Sequence, residues 1–145
     1  MKALFVTLSF CFCCLISFSQ TPVTWDIKQN NNNSSIEINA TIDSTWHLYA
    51  VNVPNPNEGP LPTEFHFSEN SNYQLVGEIK EGNPISLYDH NFGVQVSYFE
   101  KKASFEQEIK IFSDNVELKL EIAYMVCNES MCIPFNDFFT INLKN

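Results

Sequence analysis

The chain is 145 residues long and acidic, with seventeen Asp and Glu against eight Lys, no Arg and a formal net charge of −9. Binding to nucleic acid or to anionic lipid depends on a basic surface, so this composition argues against both functions. Apart from residues 3–18, no apolar run approaches the length needed to cross a bilayer. We therefore expect no nucleic-acid partner and, once these first residues are removed, no direct membrane span.

The N-terminus has the layout of a secretory signal peptide. Lys2 precedes the apolar run of residues 3–18, and the small side chains of Ser17 and Ser19 favour cleavage after residue 19. An uncleaved N-terminal anchor is the alternative interpretation. We predict a signal peptide over residues 1–19, which would make the mature protein periplasmic or secreted.

The remaining residues, 20–145, have the usual size of one domain, which we expect to be a monomer. Three of the five cysteines, Cys11, Cys13 and Cys14, lie in the predicted signal peptide. Cys127 and Cys132 remain, and in an oxidising compartment two cysteines can pair with each other.

Apolar residues alternate with polar ones along much of the chain, as in half-buried strands. The strongest alternation covers residues 35–42, 103–111 and 116–126. Shorter candidate strands cover residues 23–28, 46–51, 64–67, 74–79, 94–99 and 138–143, and turn-forming clusters separate them. Short strands at this spacing predict an all-β fold, an immunoglobulin-like β-sandwich of about eight or nine strands.

The two cysteines flank a predicted hairpin turn. The strand over residues 116–126 delivers Cys127, residues 128–131 can form a turn, and Cys132 follows, with Pro134 expected to end strand pairing. Residues facing each other across such a hairpin have Cα atoms about 4.5–5.5 Å apart, which lies within the range that a disulfide requires.

A disulfide that closes so short a ring contributes little stability. The chain-entropy model gives about 2 kcal/mol for a ring of about six residues, so a redox role is more plausible than a purely structural one. The local neighbours Asn128, Glu129 and Ser130 include no cation, and a carboxylate disfavours a nearby thiolate. We predict a pair that a partner attacks or deprotonates, with a mixed disulfide as intermediate.

Two other functions stay open at this point. One is a binding module without redox activity, in which the disulfide is a permanent structural bridge. The other is Cu(I) handling in the periplasm, because Met125, Met131 and His47 together with the two cysteines form a set of soft ligands. Methionines are more often fillers of apolar space, so we predict no metal and no cofactor.

Four segments, in order, give the chain a resemblance to a known family. The stretch from Tyr124 to Pro134, YMVCNESMCIP, resembles the active-site segment of the N-terminal periplasmic domain of the thiol:disulfide interchange protein DsbD. The segments WHLY (46–49), GPLPT (59–63) and DHNFG (89–93) are similar to other marks of that domain. The resemblance extends over nearly the whole chain after the signal peptide.

The resemblance implies an immunoglobulin-like sandwich with a reversible disulfide between Cys127 and Cys132. Family members take electrons from a membrane-embedded thiol reductase and pass them to thioredoxin-like periplasmic proteins. A cap loop shields the cysteines until a partner docks.

The resemblance also assigns roles to individual residues. Asp89 would be a carboxylate near the thiols, and Phe92 would lie over the disulfide as part of the cap. His47, Tyr49 and Tyr124 would line the site.

The chain departs from the family pattern in three respects. The spacing between the cysteines is one residue shorter than in the best-known member, and Phe135 stands in place of a second proline. The membrane and thioredoxin-like domains that normally follow are not in the sequence, so we expect the membrane-embedded reductase to be another polypeptide.

Overall fold

The computed structural model describes residues 21–32, 34–55 and 57–145. The signal peptide predicted over residues 1–19 lies outside the described residues. Within them the chain forms ten strands: β1 (Val23–Gln29), β2 (Ser35–Ile42), β3 (His47–Tyr49), β4 (Glu64–Phe67), β5 (Tyr73–Glu81), β6 (Ile85–Asp89), β7 (Val94–Glu100), β8 (Lys102–Ile111), β9 (Val116–Cys127) and β10 (Cys132–Leu143).

The strands form two antiparallel sheets. One has the order β1-β2-β8-β5, and the other has the order β10-β9-β3-β7-β6, with β4 also paired to β9. Their inner faces enclose a core that includes Ile36, Ile38, Leu118, Leu120 and Ile122. The prediction of an all-β, immunoglobulin-like sandwich is thereby confirmed, with ten strands rather than eight or nine.

Strand β9 organises the six-stranded sheet around the cysteines. One of its edges pairs with β10 along its whole length, from Val116 to Cys127. Its other edge is shared, because β4 pairs with residues 120–123 and β3 pairs with Val126 and Cys127. Cys127 therefore lies where β3, β9 and β10 meet.

The expectation that Pro134 ends strand pairing is wrong, because β10 begins at Cys132 and Pro134 pairs with Met125. Strand β10 is at the edge of its sheet. Hydrogen-bonded and non-hydrogen-bonded pairs alternate along an antiparallel ladder. Asn128 and Met131 form a hydrogen-bonded pair, so Pro134 and Met125, three pairs further along, form a non-hydrogen-bonded one. The proline nitrogen, which has no hydrogen to donate, therefore points away from β9 and interrupts nothing.

Strand β6 is not predicted by the alternation of apolar and polar residues. It pairs with β7 as the outermost strand of the sheet. Four of its five residues are exposed, so burial imposes no alternation on its sequence. Among the described residues, no helix is long and apolar enough to span a bilayer.

Candidate functional site

Cys127 and Cys132 form a disulfide across the β9–β10 hairpin, with Cα atoms 4.1 Å apart. In the turn, the Asn128 backbone N–H donates to the Met131 carbonyl at 2.9 Å, so residues 128 and 131 are a hydrogen-bonded pair. The next pair along an antiparallel ladder is not hydrogen-bonded, and there the Cα atoms approach most closely. The cysteines occupy that pair, which accounts for their short separation.

The side chain of Asn128 fixes the turn between the cysteines. Its Oδ1 accepts hydrogen bonds from the backbone N–H of Ser130 at 2.8 Å and of Met131 at 2.9 Å. Such side-chain to backbone bonds stabilise turns locally. Met131 is 54% exposed, so the turn presents an apolar side chain to solvent beside the disulfide.

The two sulfur-bearing residues differ in accessibility. Cys127 is only 3% exposed, whereas Cys132 is exposed. An incoming thiolate needs access to the sulfur that it attacks. Cys132 is therefore the more accessible residue of the disulfide.

The outer face of the six-stranded sheet continues from Cys127 into an aromatic cluster. Strand register places His47 directly opposite Cys127. The His47 ring lies 4.8 Å from the ring of Tyr98 and 6.3 Å from that of Tyr49. Tyr49 and Cys127 also share a small apolar cluster, whose other members are Val94, Val96, Tyr98 and Met125.

The two tyrosines of this cluster are protonated well beyond neutral pH. Burial, followed by the negative charge of Asp89 and then by Tyr98, raises the pKa of Tyr49 to about 12. The pKa of Tyr98 is also raised, by burial first and then by Glu100 and Asp89. Asp89 therefore lies close enough to both phenols to act on them electrostatically.

Asp89 and Phe92 belong to the hairpin that joins β6 to β7. The Asp89 Oδ1 accepts hydrogen bonds from the backbone N–H of Asn91 at 2.7 Å and of Phe92 at 3.2 Å. The Gly93 N–H donates to the Asp89 carbonyl at 2.7 Å, which closes the turn. Phe92 is 38% exposed on this turn.

A second loop packs against the same hairpin. Gly59 has φ of +112°, and a Cβ atom at that position would lie 3.0 Å from the Cγ2 of Val94 and 4.0 Å from the Cβ of Phe92. Only glycine allows so close an approach in this conformation. The loop containing Gly59 therefore packs against the turn end of the β6–β7 hairpin.

Tyr124 is placed differently from the other predicted site residues. It projects into the main core, on the opposite face of β9 from Cys127, because side chains alternate along a strand. Its hydroxyl donates to Asp137 at 2.7 Å and its ring stacks on Phe135 with centroids 5.6 Å apart. The structure thus brings His47 and Tyr49 to the outer face with Cys127 but leaves Tyr124 inside.

Sequence reasoning did not single out Tyr98, Glu100 or the cavity beside them. A surface cavity of about 600 Å³ opens next to the cysteine turn, lined in part by His47, Glu100, Asn128 and Glu129. Tyr98 lies within the candidate strand over residues 94–99, and in the structure it shares a face with Val94 and Val96. The missing signal was the pairing of β3 with β7, which sets Glu100 opposite His47.

The soft-ligand set proposed for Cu(I) is divided in the structure. Met125 packs into the cluster of Tyr49 and Cys127, whereas Met131 is exposed in the turn. Across residues 21–32, 34–55 and 57–145, His, Cys, Asp and Glu form no group of three or more that could hold a metal ion. The two methionines therefore act in the structure as an apolar filler and a surface side chain.

Solved structures of the same architecture include N-terminal domains of DsbD and of ScsB. The reduced N-terminal domain of DsbD from Neisseria meningitidis matches with a TM-score of 0.62 and 13% identity, over 86% of this chain and 87% of that one. The complex between the DsbD N-terminal and PilB N-terminal domains from the same organism matches with a TM-score of 0.56 and 12% identity, over 81% and 80% of the two chains. At such identities the likeness establishes the fold.

The N-terminal periplasmic domain of ScsB from Proteus mirabilis matches with a TM-score of 0.55 and 16% identity, over 84% of this chain and 45% of that one. A comparison with curated protein sequences found no match. The family model of the thiol:disulfide interchange protein DsbD, N-terminal, matches residues 16–142. That match confirms the resemblance, and the chain belongs to the family of DsbD N-terminal domains.

Proposed function

We propose that the protein is an exported thiol–disulfide exchange module. Residues 20–145 would form one domain that carries two electrons as the dithiol of Cys127 and Cys132. The observation that carries this proposal is the disulfide itself, which joins an exposed Cys132 to a buried Cys127 at the end of a hairpin. Family membership supports the same chemistry.

The exchange begins when a partner thiolate attacks the Sγ of Cys132. The bond between Cys127 and Cys132 breaks, its electron pair stays on the Cys127 sulfur, and a mixed disulfide joins Cys132 to the partner. The second thiol of the partner then attacks the partner sulfur that is bonded to Cys132, and Cys132 is released as a thiol. The domain ends as a dithiol and the partner as a disulfide, and the reverse sequence passes the electrons on.

Partners of this module would be thioredoxin-like periplasmic proteins and a membrane-embedded thiol reductase on another chain. A DsbD N-terminal domain of the same fold was solved in complex with the PilB N-terminal domain, which supports docking to a separate protein domain. Met131 in the cysteine turn and Phe92 in the β6–β7 turn are exposed and would offer apolar contacts to such a partner. We propose that the mature protein works in the periplasm, or after secretion, as a monomer.

The cap role of the β6–β7 hairpin is part of this proposal. Val94 and Val96, in the part of β7 next to the turn, pack in the cluster that contains Cys127. Asp89 and Phe92 at the turn would shield that cluster until a partner displaces them. His47 and Tyr49 would line the floor of the site beneath.

Direct exchange with a dithiol protein tests the proposed function. The oxidised mature domain is mixed with a reduced thioredoxin, and alkylated cysteines are counted by mass after an acid quench. We expect two alkylated cysteines in the domain and matching oxidation of the thioredoxin. A domain that stays oxidised here, and whose reduced form is equally inert toward an oxidised thioredoxin, would leave a structural bridge in a binding module as the better account.

A further inference from the structure

The buried sulfur of Cys127 needs a proton carrier. When the disulfide opens, the electron pair stays on Cys127, and burial in apolar surroundings disfavours a charged thiolate. Cys127 is 3% exposed and packs against Tyr49 and Val96, so bulk water has little access to its sulfur. A neighbouring side chain must therefore supply the proton, and must take it back when Cys127 attacks again.

His47 is placed to do this from the adjacent strand. It is the cross-strand partner of Cys127 in the β3–β9 pair, and such partners have Cβ atoms about 4.5–5.5 Å apart on the same face. An imidazole can donate or accept a proton near neutral pH. The rings of Tyr98 and Tyr49 pack beside the imidazole and hold it over this face.

His47 also has the access to water that Cys127 lacks. Its side chain lines the cavity of about 600 Å³ beside the cysteine turn, and Glu100 and Glu129 lie on the same wall. The imidazole thus stands between a buried sulfur on one side and a solvent-filled cavity on the other. Apart from the His47 imidazole and the Trp46 ring, every side chain that lines this cavity carries an oxygen atom.

We propose that His47 carries protons between Cys127 and solvent during disulfide exchange, an inference that rests on the proposed function. As the disulfide is reduced, the imidazolium gives its proton to the departing Cys127 thiolate and then recovers one through the cavity. In the reverse direction, neutral imidazole takes the thiol proton, and the Cys127 thiolate attacks the Sγ of Cys132 to release the partner. Charge and protons balance in both directions.

Several other titratable groups lie around the His47 imidazole. Glu100 faces it from β7 and Glu129 from the cysteine turn. Tyr49 and Tyr98 pack against it, and the raised pKa of each phenol leaves both protonated at neutral pH. Asp89 acts on those two phenols from the β6–β7 hairpin, and Cys132 is the partner of Cys127 in the disulfide.

The first test follows the thiols themselves. The reduced protein, labelled with ¹³C at cysteine Cβ, is titrated by NMR as wild type, as His47→Gln and as the control His66→Gln. His66 is a suitable control because it lies on β4, where it pairs with Glu64 on the surface. We expect His47→Gln to lower the thiolate fraction of Cys127 about tenfold at a given pH and His66→Gln to leave it unchanged.

The second test is the pH profile of exchange with glutathione. Rates are divided by the fraction of glutathione present as thiolate, which rises with pH for every variant alike. We expect His47→Gln to slow reduction of the disulfide at least tenfold and to give a corrected pH profile of a different shape from that of the wild type. His47→Phe keeps an aromatic ring beside Tyr98 and serves as the second variant if His47→Gln does not fold.

The outcomes separate the two proposals. If the wild type exchanges and the His47 variants match it in both the titration and the pH profile, His47 is not the proton carrier and the proposed function stands. If the wild type fails to exchange with any dithiol, the proposed function is lost, and the NMR titration still decides whether His47 and Cys127 share a proton.

Discussion

Cys132 is exposed to solvent, while its disulfide partner Cys127, 4.1 Å away between Cα atoms, is buried. The hairpin register places the two residues opposite each other, but only Cys127 is flanked on its other side by a strand, β3. Cys132 belongs to the edge strand β10, and among the described residues no strand pairs with β10 on that side. The difference in exposure between the two residues follows from their positions in the sheet.

The first prediction concerns which cysteine forms the mixed disulfide. In Cys127→Ser the exposed Cys132 remains, and we expect it to accumulate a stable mixed disulfide with glutathione disulfide or a thioredoxin-like partner. In Cys132→Ser the remaining Cys127 is buried, so we expect the adduct to form at least about tenfold more slowly. Intact-protein mass spectrometry over time measures both rates. Equal rates would show that Cys127 is as accessible as Cys132.

The second prediction concerns the turn of the β6–β7 hairpin. Asp89→Ala removes the oxygen that accepts from the N–H groups of Asn91 and Phe92, so we expect the hairpin to loosen and alkylation of reduced Cys127 to become several-fold faster. Asp89→Asn keeps an acceptor oxygen and removes the charge. It should leave the alkylation rate near that of the wild type and lower the pKa of Tyr49. If both variants alkylate at the wild-type rate, the hairpin does not shield Cys127.

The third prediction compares two glycines that both have positive φ. Gly59→Ala would place a Cβ atom 3.0 Å from Val94, whereas Gly77→Ala meets nothing within 4 Å. Both variants should lose about 1–2 kcal/mol from backbone strain, and Gly59→Ala should lose about 1–3 kcal/mol more from the contact. Urea denaturation of the oxidised protein measures the difference. Equal losses would mean that the loop and the hairpin are not in firm contact.

The fourth prediction concerns stability in alkali. The pKa of Tyr49 is raised from 10.0 to about 12, so the folded protein holds the phenol proton more tightly than the unfolded chain. The resulting stability is fully present below about pH 10 and is lost as the pH rises through about 12. Between about pH 8 and pH 11 we expect the wild type to lose about 1 kcal/mol more than Tyr49→Phe, measured by denaturant unfolding. Parallel losses in the two proteins would place the phenol in a solvated environment.

Much of the fold could be predicted because burial imposes a period of two on the central strands. Strand β9 alternates buried and more exposed residues along nearly its whole length, and the alternation over residues 116–126 found it to within one residue. Strand β6 gave no such signal because its side chains are mostly exposed. Pro134 in the sequence predicts the end of strand pairing and so hides the first half of β10, although an edge strand tolerates proline at a pair without ladder hydrogen bonds.

The site was predictable in part for the same reason. The cysteine pair and its turn are local in sequence, so spacing was enough to predict the disulfide. The neighbours of Cys127 are not local, since His47 reaches it from β3 and Glu100 reaches His47 from β7. Local sequence therefore suggested a cysteine without any basic neighbour, whereas the sheet places an imidazole directly opposite. Tyr124 shows the converse, because it is close to Cys127 in sequence but faces the core.

The reduction potential of the Cys127–Cys132 disulfide tests the proposed exchange function most directly. The mature protein is equilibrated in glutathione buffers of defined potential, quenched, alkylated and analysed by mass. We predict a midpoint between about −180 and −270 mV, within reach of periplasmic exchange proteins. A disulfide that is still intact below about −300 mV would contradict the account and identify the bridge as structural.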